Sequence, residues 1–357
     1  MFKLALGALV SLLFALSPAA AAKTHGTKNT AAASKKHSTK RIRIILRHPT
    51  GRVAAEAPHE RSIRRVIVVH GKRKVVYQRV VTVGVLPAVP TMGDLAGLNL
   101  TRDPLDLKSS VALVLDQSNS EVLFEKNSNV ALPIASITKM MTGLVVVEAH
   151  QDMDEMLSVT DEDVDRLKFS SSRLRVGDEL TRGNMLHIAL MSSENRAASA
   201  LGRNYPGGLP AFVNAMNAKA RALGMNDTHY VDSNGLHKQN VASAHDLARL
   251  AMAAFQQPLL RQYSTDPKAT VEANGRPMHF GNTNHLVADT GWEIGLQKTG
   301  FINEAGRCLM MQAVIEGRAV IMVFLDSKGK RSRTADAGRM RKWLEALKSG
   351  GLSLPGG

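Results

Sequence analysis

Pro133-Ile134-Ala135-Ser136-Ile137-Thr138-Lys139-Met140-Met141-Thr142 opens the segment on which the reading of this chain turns. From Ala135 to His150 the run reads as a buried helix, because Ile137, Met140, Met141, Leu144, Val145 and Val147 leave few polar positions on any face. A helix without a polar face belongs inside a domain, so its neighbours in sequence should wrap it. Upstream, Ser110–Asp116 and Glu121–Lys126 are apolar-rich strand candidates separated by Gln117-Ser118-Asn119-Ser120, a hairpin signature. Downstream comes an apolar segment, Met185–Met191, then an amphipathic helix Leu209–Leu223 closed by Gly224. Ser243-Ala244-His245-Asp246 opens a further helix, Leu247–Phe255, with serine as N-cap. Near the end, Cys308–Ile315 and Ala319–Leu325 are apolar strands around Glu316-Gly317, and Ala335–Leu347 reads as a terminal helix. Strands, a helical middle, then strands and a helix predict a mixed α/β domain with one sheet assembled from both ends.

Outward from this body the composition changes. The chain has 357 residues, 44% of them hydrophobic, a net charge of +15 and one cysteine. Cys308 alone excludes a disulfide framework and any paired-cysteine zinc site, and it is expected to be buried in its strand. Residues 23–90 hold 16 Lys/Arg against only Glu56 and Glu60, whereas 91–357 hold 29 basic and 29 acidic residues. The basicity therefore belongs to an arm, and nucleic-acid binding does not follow from it. Met1-Phe2-Lys3, the apolar run Leu4–Leu16, the breaker Ser17-Pro18 and the small residues Ala19–Ala22 predict a cleaved export signal over 1–22. That run is shorter than the roughly 20 residues that span a bilayer, and no later segment could span one, so the mature protein should be periplasmic with no transmembrane segment. Residues 23–100 are expected to be a largely disordered arm and linker. Strand-like residues recur there at Arg41–Ile45 and in a possible hairpin over 62–83. The arm's candidate partners are anionic envelope polymers. The domain itself should occupy 101–348, with 349–357 as a tail.

Three short patterns carry chemistry. In Ser136-Ile137-Thr138-Lys139, serine and lysine at i and i+3 share one helix face a turn apart. Packing the lysine among apolar side chains next to the helix's positive end disfavours its ammonium, so a neutral amine can take the serine proton. Another Ser-x-x-Lys, Ser327-Lys328-Gly329-Lys330, sits in a charged turn and is read as incidental. Ser193-Glu194-Asn195 interrupts an apolar segment with a polar cluster. Lys298-Thr299-Gly300, at the end of Ile294-Gly295-Leu296-Gln297, offers a cation, a hydroxyl and a glycine for close approach. Alone, these two read as a capped helix end and an exposed turn after an edge strand.

Together and in this order, the three patterns resemble the signature of penicillin-recognising serine acyltransferases. Val111–Asp116, Pro133–Thr142, Met216–Ala220, Leu223–Thr228 and Lys298–Phe301 are similar to the low-molecular-mass penicillin-binding proteins, a D-alanyl-D-alanine peptidase family, across roughly residues 105–345. The resemblance implies a β-lactamase/transpeptidase-like fold, an antiparallel sheet flanked by helices with an all-helical subdomain. It implies peptidoglycan peptides as substrate and β-lactams as inhibitors. Ser136 would be the nucleophile, Lys139 the general base and Ser193 a proton relay. Asn195, Lys298, Thr299 and Gly300 would bind substrate, and the backbone N–H groups of Ser136 and Phe301 would form the oxyanion hole. Many carboxypeptidases of the family have Gly where Glu194 stands, and carry a further β domain and a C-terminal anchor that are not expected here. The Ser-Glu-Asn-Arg stretch and Tyr205-Pro206-Gly207-Gly208 look closest to the endopeptidase branch, with carboxypeptidase the alternative. A β-lactamase would need a deacylating glutamate, and neither Glu272 nor Glu293 has the expected Glu-x-x-Leu-Asn setting. A non-catalytic wall-binding protein would not require all three motifs. The histidines form no chelating pattern, His229, His237 and His245 included, and no metal or other cofactor is expected. Arg307 and Arg318 read as surface charge beside the last hairpin.

Overall fold

The computed structural model of the chain describes residues 60–69, 72–81 and 89–350. The export signal, Arg41–Ile45 with the rest of 23–59, and the tail from 351 onward lie outside the described residues. The chain divides into two units, 1–84 and 85–357. In the first, β1 (Glu60–Val69) and β2 (Lys72–Val81) pair antiparallel, with Val69 opposite Lys72. This ladder starts and stops two residues before the limits read from the sequence.

The second unit contains β3 (Ser109–Asp116), β4 (Val122–Lys126), α1 (Thr138–Glu148), α2 (Arg182–Met191), α3 (Asn195–Arg203) and α4 (Gly208–Ala222). It continues through α5 (Ala244–Phe255), α6 (Pro258–Thr265), β5 (Lys268–Ala273), β6 (Arg276–Gly281), β7 (Glu293–Ile302), β8 (Gly306–Ile315), β9 (Arg318–Ser327) and α7 (Ser332–Gly350). Five strands form one sheet in the order β7-β8-β9-β3-β4, every neighbour antiparallel. The β9–β3 ladder joins the two ends of the domain, as the pattern of apolar runs predicts.

Both faces of this sheet are covered, which is why its strands read as continuous apolar runs instead of alternating ones. Every residue of β3 is buried. Val111, Leu113 and Leu115 face the larger core with α1 and α5, while Ala112 and Val114 face a second core with Ala337, Met340 and Leu344 of α7. Burying each large aliphatic side chain contributes ~1.5–3 kcal/mol, but with apolar residues on both faces polarity cannot fix the register. Polar pins do so at the strand's start. The Ser109 hydroxyl donates to Asp336 at 2.6 Å, and the Ser110 hydroxyl to Asp326 at 2.7 Å, all four residues being buried.

The buried helix is present as α1, preceded by a 3-10 turn over Ala135–Ile137, and every residue from Thr138 to Val146 is buried. The middle of the chain is mainly helical and also holds three small ladders, one of them Leu132–Pro133 with Val241–Ala242. β5 pairs with β6 around Asn274-Gly275, and Met156–Ser158 pairs with Glu179–Thr181. The strand read at Ile294–Gln297 runs further: Lys298-Thr299-Gly300, for which an exposed turn is the alternative reading, lies inside β7 with all three residues buried. Glycine at 295 and the polar Gln-Lys-Thr run hide the strand pattern; in the buried strand the Gln297 side chain donates to the Ser264 carbonyl and Lys298 Nζ to the Thr299 carbonyl. Cys308 is buried in β8, and burial pushes its thiol up to about 12.

Candidate active site

Ser136 is partly exposed in a turn whose neighbours are buried. The turn is tight: Ala135 is held at φ 49°, a left-handed conformation that costs a residue with a side chain ~1–3 kcal/mol. Gly235, at φ 79°, leaves room for it, since a Cβ there would collide with the Ala135 carbonyl. Lys139 follows one turn later, fully buried. Its Nζ lies 2.8 Å from Ser136 Oγ, 2.7 Å from Asn195 Oδ1 and 2.5 Å from the Asn234 carbonyl oxygen. Desolvation brings its pKa down to about 7, against the opposing pull of the Asp232, Glu194 and Asp165 carboxylates. A neutral amine has two N–H donors and one lone pair. Asn195 and Asn234 can take the donors only, being acceptors at the facing atoms, so the lone pair is left for the Ser136 hydroxyl proton.

The second motif joins α2 to α3. Ser193 adopts φ 62°, and Glu194 caps α3 by accepting from the Arg196 amide. Asn195 donates its amide N–H to Ser170 Oγ at 2.8 Å, while its Oδ1 faces Lys139. Glu194 also accepts from the Ser172 hydroxyl at 2.5 Å, and Arg196 donates to the Leu174 carbonyl at 2.8 Å. Three consecutive residues are thus tied to one loop. The Ser193 hydroxyl makes no hydrogen bond among the described residues, so the structure does not join it to Ser136 or Lys139.

The third motif occupies the edge strand β7, beside the Ser136 turn. A Cβ on Gly300 would lie 2.7 Å from the Ile134 carbonyl oxygen and 3.1 Å from the Ser136 nitrogen, so only glycine permits this approach. Lys298 is fully buried, its Nζ donating to the Thr299 carbonyl at 3.0 Å. Burial, then the positive neighbours Lys139 and Arg333, hold its pKa well below the usual lysine range. The Thr299 and Thr283 hydroxyls are 2.7 Å apart. Phe301 turns its side chain outward, 50% exposed, with the Arg307 guanidinium 4.5 Å from its ring centre. Arg318 instead pairs with Asp116 and with Glu121.

The fold therefore brings Ser136, Lys139 and Asn195 into direct contact and packs Gly300 against them. Sequence reasoning missed Asp232, Asn234, Ser170, Thr283 and Arg333. Asp232 accepts from the backbone N–H groups of Asn234, Gly235 and His237, shaping the loop that aims the Asn234 carbonyl at Lys139. Asp232-Ser233-Asn234-Gly235 has turn composition, a signal that could have marked it. Arg333 donates to the Gly300 carbonyl at 2.7 Å from α7, a contact no local pattern reveals. Among the described residues no group of His, Cys, Asp and Glu could hold a metal ion.

A serine hydrogen-bonded to a buried lysine of lowered pKa, beside an antiparallel sheet with helices on both faces, defines a serine hydrolase built for acyl transfer. The chain belongs to peptidase family S11, described as D-alanyl-D-alanine carboxypeptidase, whose model matches residues 99–329. It is 49% identical over 252 residues to a D-alanyl-D-alanine endopeptidase of Pseudomonas aeruginosa, covering 70% of this chain and 80% of the relative. It is 44% identical over 245 residues to one of Escherichia coli, covering 68% and 79%. The crystal structure of the Streptomyces K15 DD-transpeptidase superposes with a TM-score of 0.64 at 25% identity, covering 69% of this chain and all of that one. The expected family and fold are both found.

Proposed function

We propose that this protein is a serine D-alanyl-D-alanine endopeptidase that cleaves peptide cross-links in peptidoglycan through a covalent acyl-enzyme. The carrying observation is the 2.8 Å contact between Ser136 Oγ and a fully buried Lys139 amine whose pKa is lowered to about 7. Ser136 Oγ attacks the D-alanine carbonyl carbon as its proton passes to Lys139 Nζ. The backbone N–H groups of Ser136 and Phe301 receive the developing oxyanion, the interaction that usually contributes most in acyl transfer. Collapse breaks the C–N bond, and the departing amine takes a proton through Ser193. Water then hydrolyses the Ser136 ester. Asn195 holds the substrate amide, Lys298 assists proton transfer, and Thr299 binds a substrate carboxylate on the strand that Gly300 keeps close. A β-lactam entering the same site would leave Ser136 acylated.

The relatives of 49% and 44% identity, both named endopeptidases, support cross-links as the bond cut. The family's own description supports the second reading, a carboxypeptidase trimming terminal D-alanine. We place the reaction in the periplasm, reached by removal of 1–22, with 101–348 as the catalytic domain. The basic arm before it would adhere to anionic envelope polymers. The test is a digest of purified cross-linked muropeptide dimers by wild type and Ser136→Ala, read by mass spectrometry. Conversion of dimers to monomers by wild type alone is expected. Intact dimers, with loss of one D-alanine from monomer pentapeptides, would establish the second reading instead.

A further inference from the structure

The loop tied to the second motif contains a hydrogen-bond chain whose polarity can be read end to end. Asp165 accepts from the backbone N–H groups of Leu167, Lys168 and Ser170 at 2.8–2.9 Å, and from the Ser170 hydroxyl at 2.6 Å. These bonds hold its pKa below the usual carboxylate range despite partial burial. The carboxylate can only accept, so the single hydroxyl proton of Ser170 is committed to it. Ser170 Oγ must then act as acceptor toward Asn195, 2.8 Å away. That fixes the Asn195 amide with its NH2 toward Ser170 and its Oδ1 toward Lys139, 2.7 Å away. Lys139 is thereby compelled to donate to Asn195, which frees its lone pair for Ser136.

We propose that Ser170, anchored by Asp165, is a positioning residue that orients the Asn195 amide and so sets the direction of proton transfer between Ser136 and Lys139. With the Ser170 hydroxyl gone, the amide can rotate and present its NH2 to Lys139. The amine's lone pair would then be consumed by Asn195, and Ser136 would lose its base. The ammonium form would also lose an acceptor, which favours the neutral amine. The other charged groups acting on Lys139 are the Asp232 and Glu194 carboxylates; across the site Lys298, itself depressed by Lys139 and Arg333, faces it. None of these is altered by the change at 170. The loop has a second anchor as well, the Lys168–Glu304 ion pair at 2.5 Å, which the change also leaves in place.

The inference rests on the Ser136–Lys139 reading above. It is tested with the full chain by measuring the second-order rate of acylation by a fluorescent penicillin from pH 5 to 9. The variants are Ser170→Ala, Ser170→Thr and Ser170→Val, with thermal melts run alongside. Thr and Val share a shape and differ by the hydroxyl, so the pair isolates its contribution even if Ala perturbs the loop. Thr should stay within about threefold of wild type, and Val should fall by roughly 10–100-fold, the scale of a misdirected general base. In Val the rising limb of the rate profile should also move to lower pH, which simple loosening of the loop would not cause. Equal rates and limbs for Thr and Val, with wild type acylated normally, would overturn this inference alone. A wild type that is not acylated at any pH would overturn the underlying reading with it.

Discussion

Replacing Lys139 by methionine separates the energetic cost of the site from its chemistry. Lys139 carries a pKa of about 7 in the folded chain against 10.5 in the unfolded one. Between these values the unfolded chain binds more protons, so this residue's contribution to stability rises with pH and is most unfavourable at or below pH 7. A shift of that size corresponds to an upper penalty on the order of 5 kcal/mol when the amine is fully protonated in the unfolded chain. Methionine removes the penalty but leaves the acceptors of Asn195 and Asn234 unpartnered, at about 1–3 kcal/mol each. The two effects oppose each other at any one pH, and the pH dependence isolates the amine. The stability difference, variant minus wild type, should fall by roughly 2 kcal/mol from pH 7 to pH 9. Lys298 acts in the same direction, since the neighbouring Lys139 charge depresses its pKa further. Urea unfolding of both proteins at pH 7, 8 and 9 reads the quantity directly. A difference that does not change with pH would mean that the amine titrates as an exposed lysine, and the argument for a neutral base would fail.

Four further outcomes are expected. The acylation rate of wild type should climb about 90-fold from pH 5 to pH 8 if it tracks the neutral fraction of a group titrating near 7, and Lys139→Arg should lose acylation while keeping its fold, because guanidinium stays charged; stopped-flow measurement with a fluorescent penicillin checks both. Gly300→Ala places a methyl 2.7 Å from the Ile134 carbonyl oxygen and 3.1 Å from the Ser136 nitrogen, so β7 must move away from the turn; a displacement of that order should lower acylation by about 10²-fold, and a loss under twofold would contradict the packing. Removing residues 23–90 should leave turnover of small soluble peptides unchanged while weakening co-sedimentation with isolated sacculi, most visibly at low salt; equal sedimentation with and without the arm would end that assignment.

The sequence displays those parts of the molecule that are encoded locally. Strands β3, β4, β8 and β9 were legible because both faces of the sheet are apolar, and the N-cap Ser243 marked α5 because capping is a local hydrogen bond, here to Asp246. The strand character of Lys298-Thr299-Gly300 is hidden because buried polar residues break the apolar run. The β5–β6 hairpin carries the turn Asn274-Gly275 and alternates in burial along both strands, but it stands apart from the main sheet. At the site, the motifs named Ser136, Lys139 and Asn195, whose contacts the fold supplies. Asn234, Ser170 and Arg333 reach the site across long loops or from the last helix. Their residue types are ordinary and only the tertiary fold gives them partners.

The most direct test of the central claim is to expose the purified protein to a β-lactam, digest it and locate the adduct by mass spectrometry. A single stoichiometric adduct is expected on the peptide carrying Ser136, absent from Ser136→Ala. An adduct on any other residue, or labelling that persists in Ser136→Ala, would contradict it.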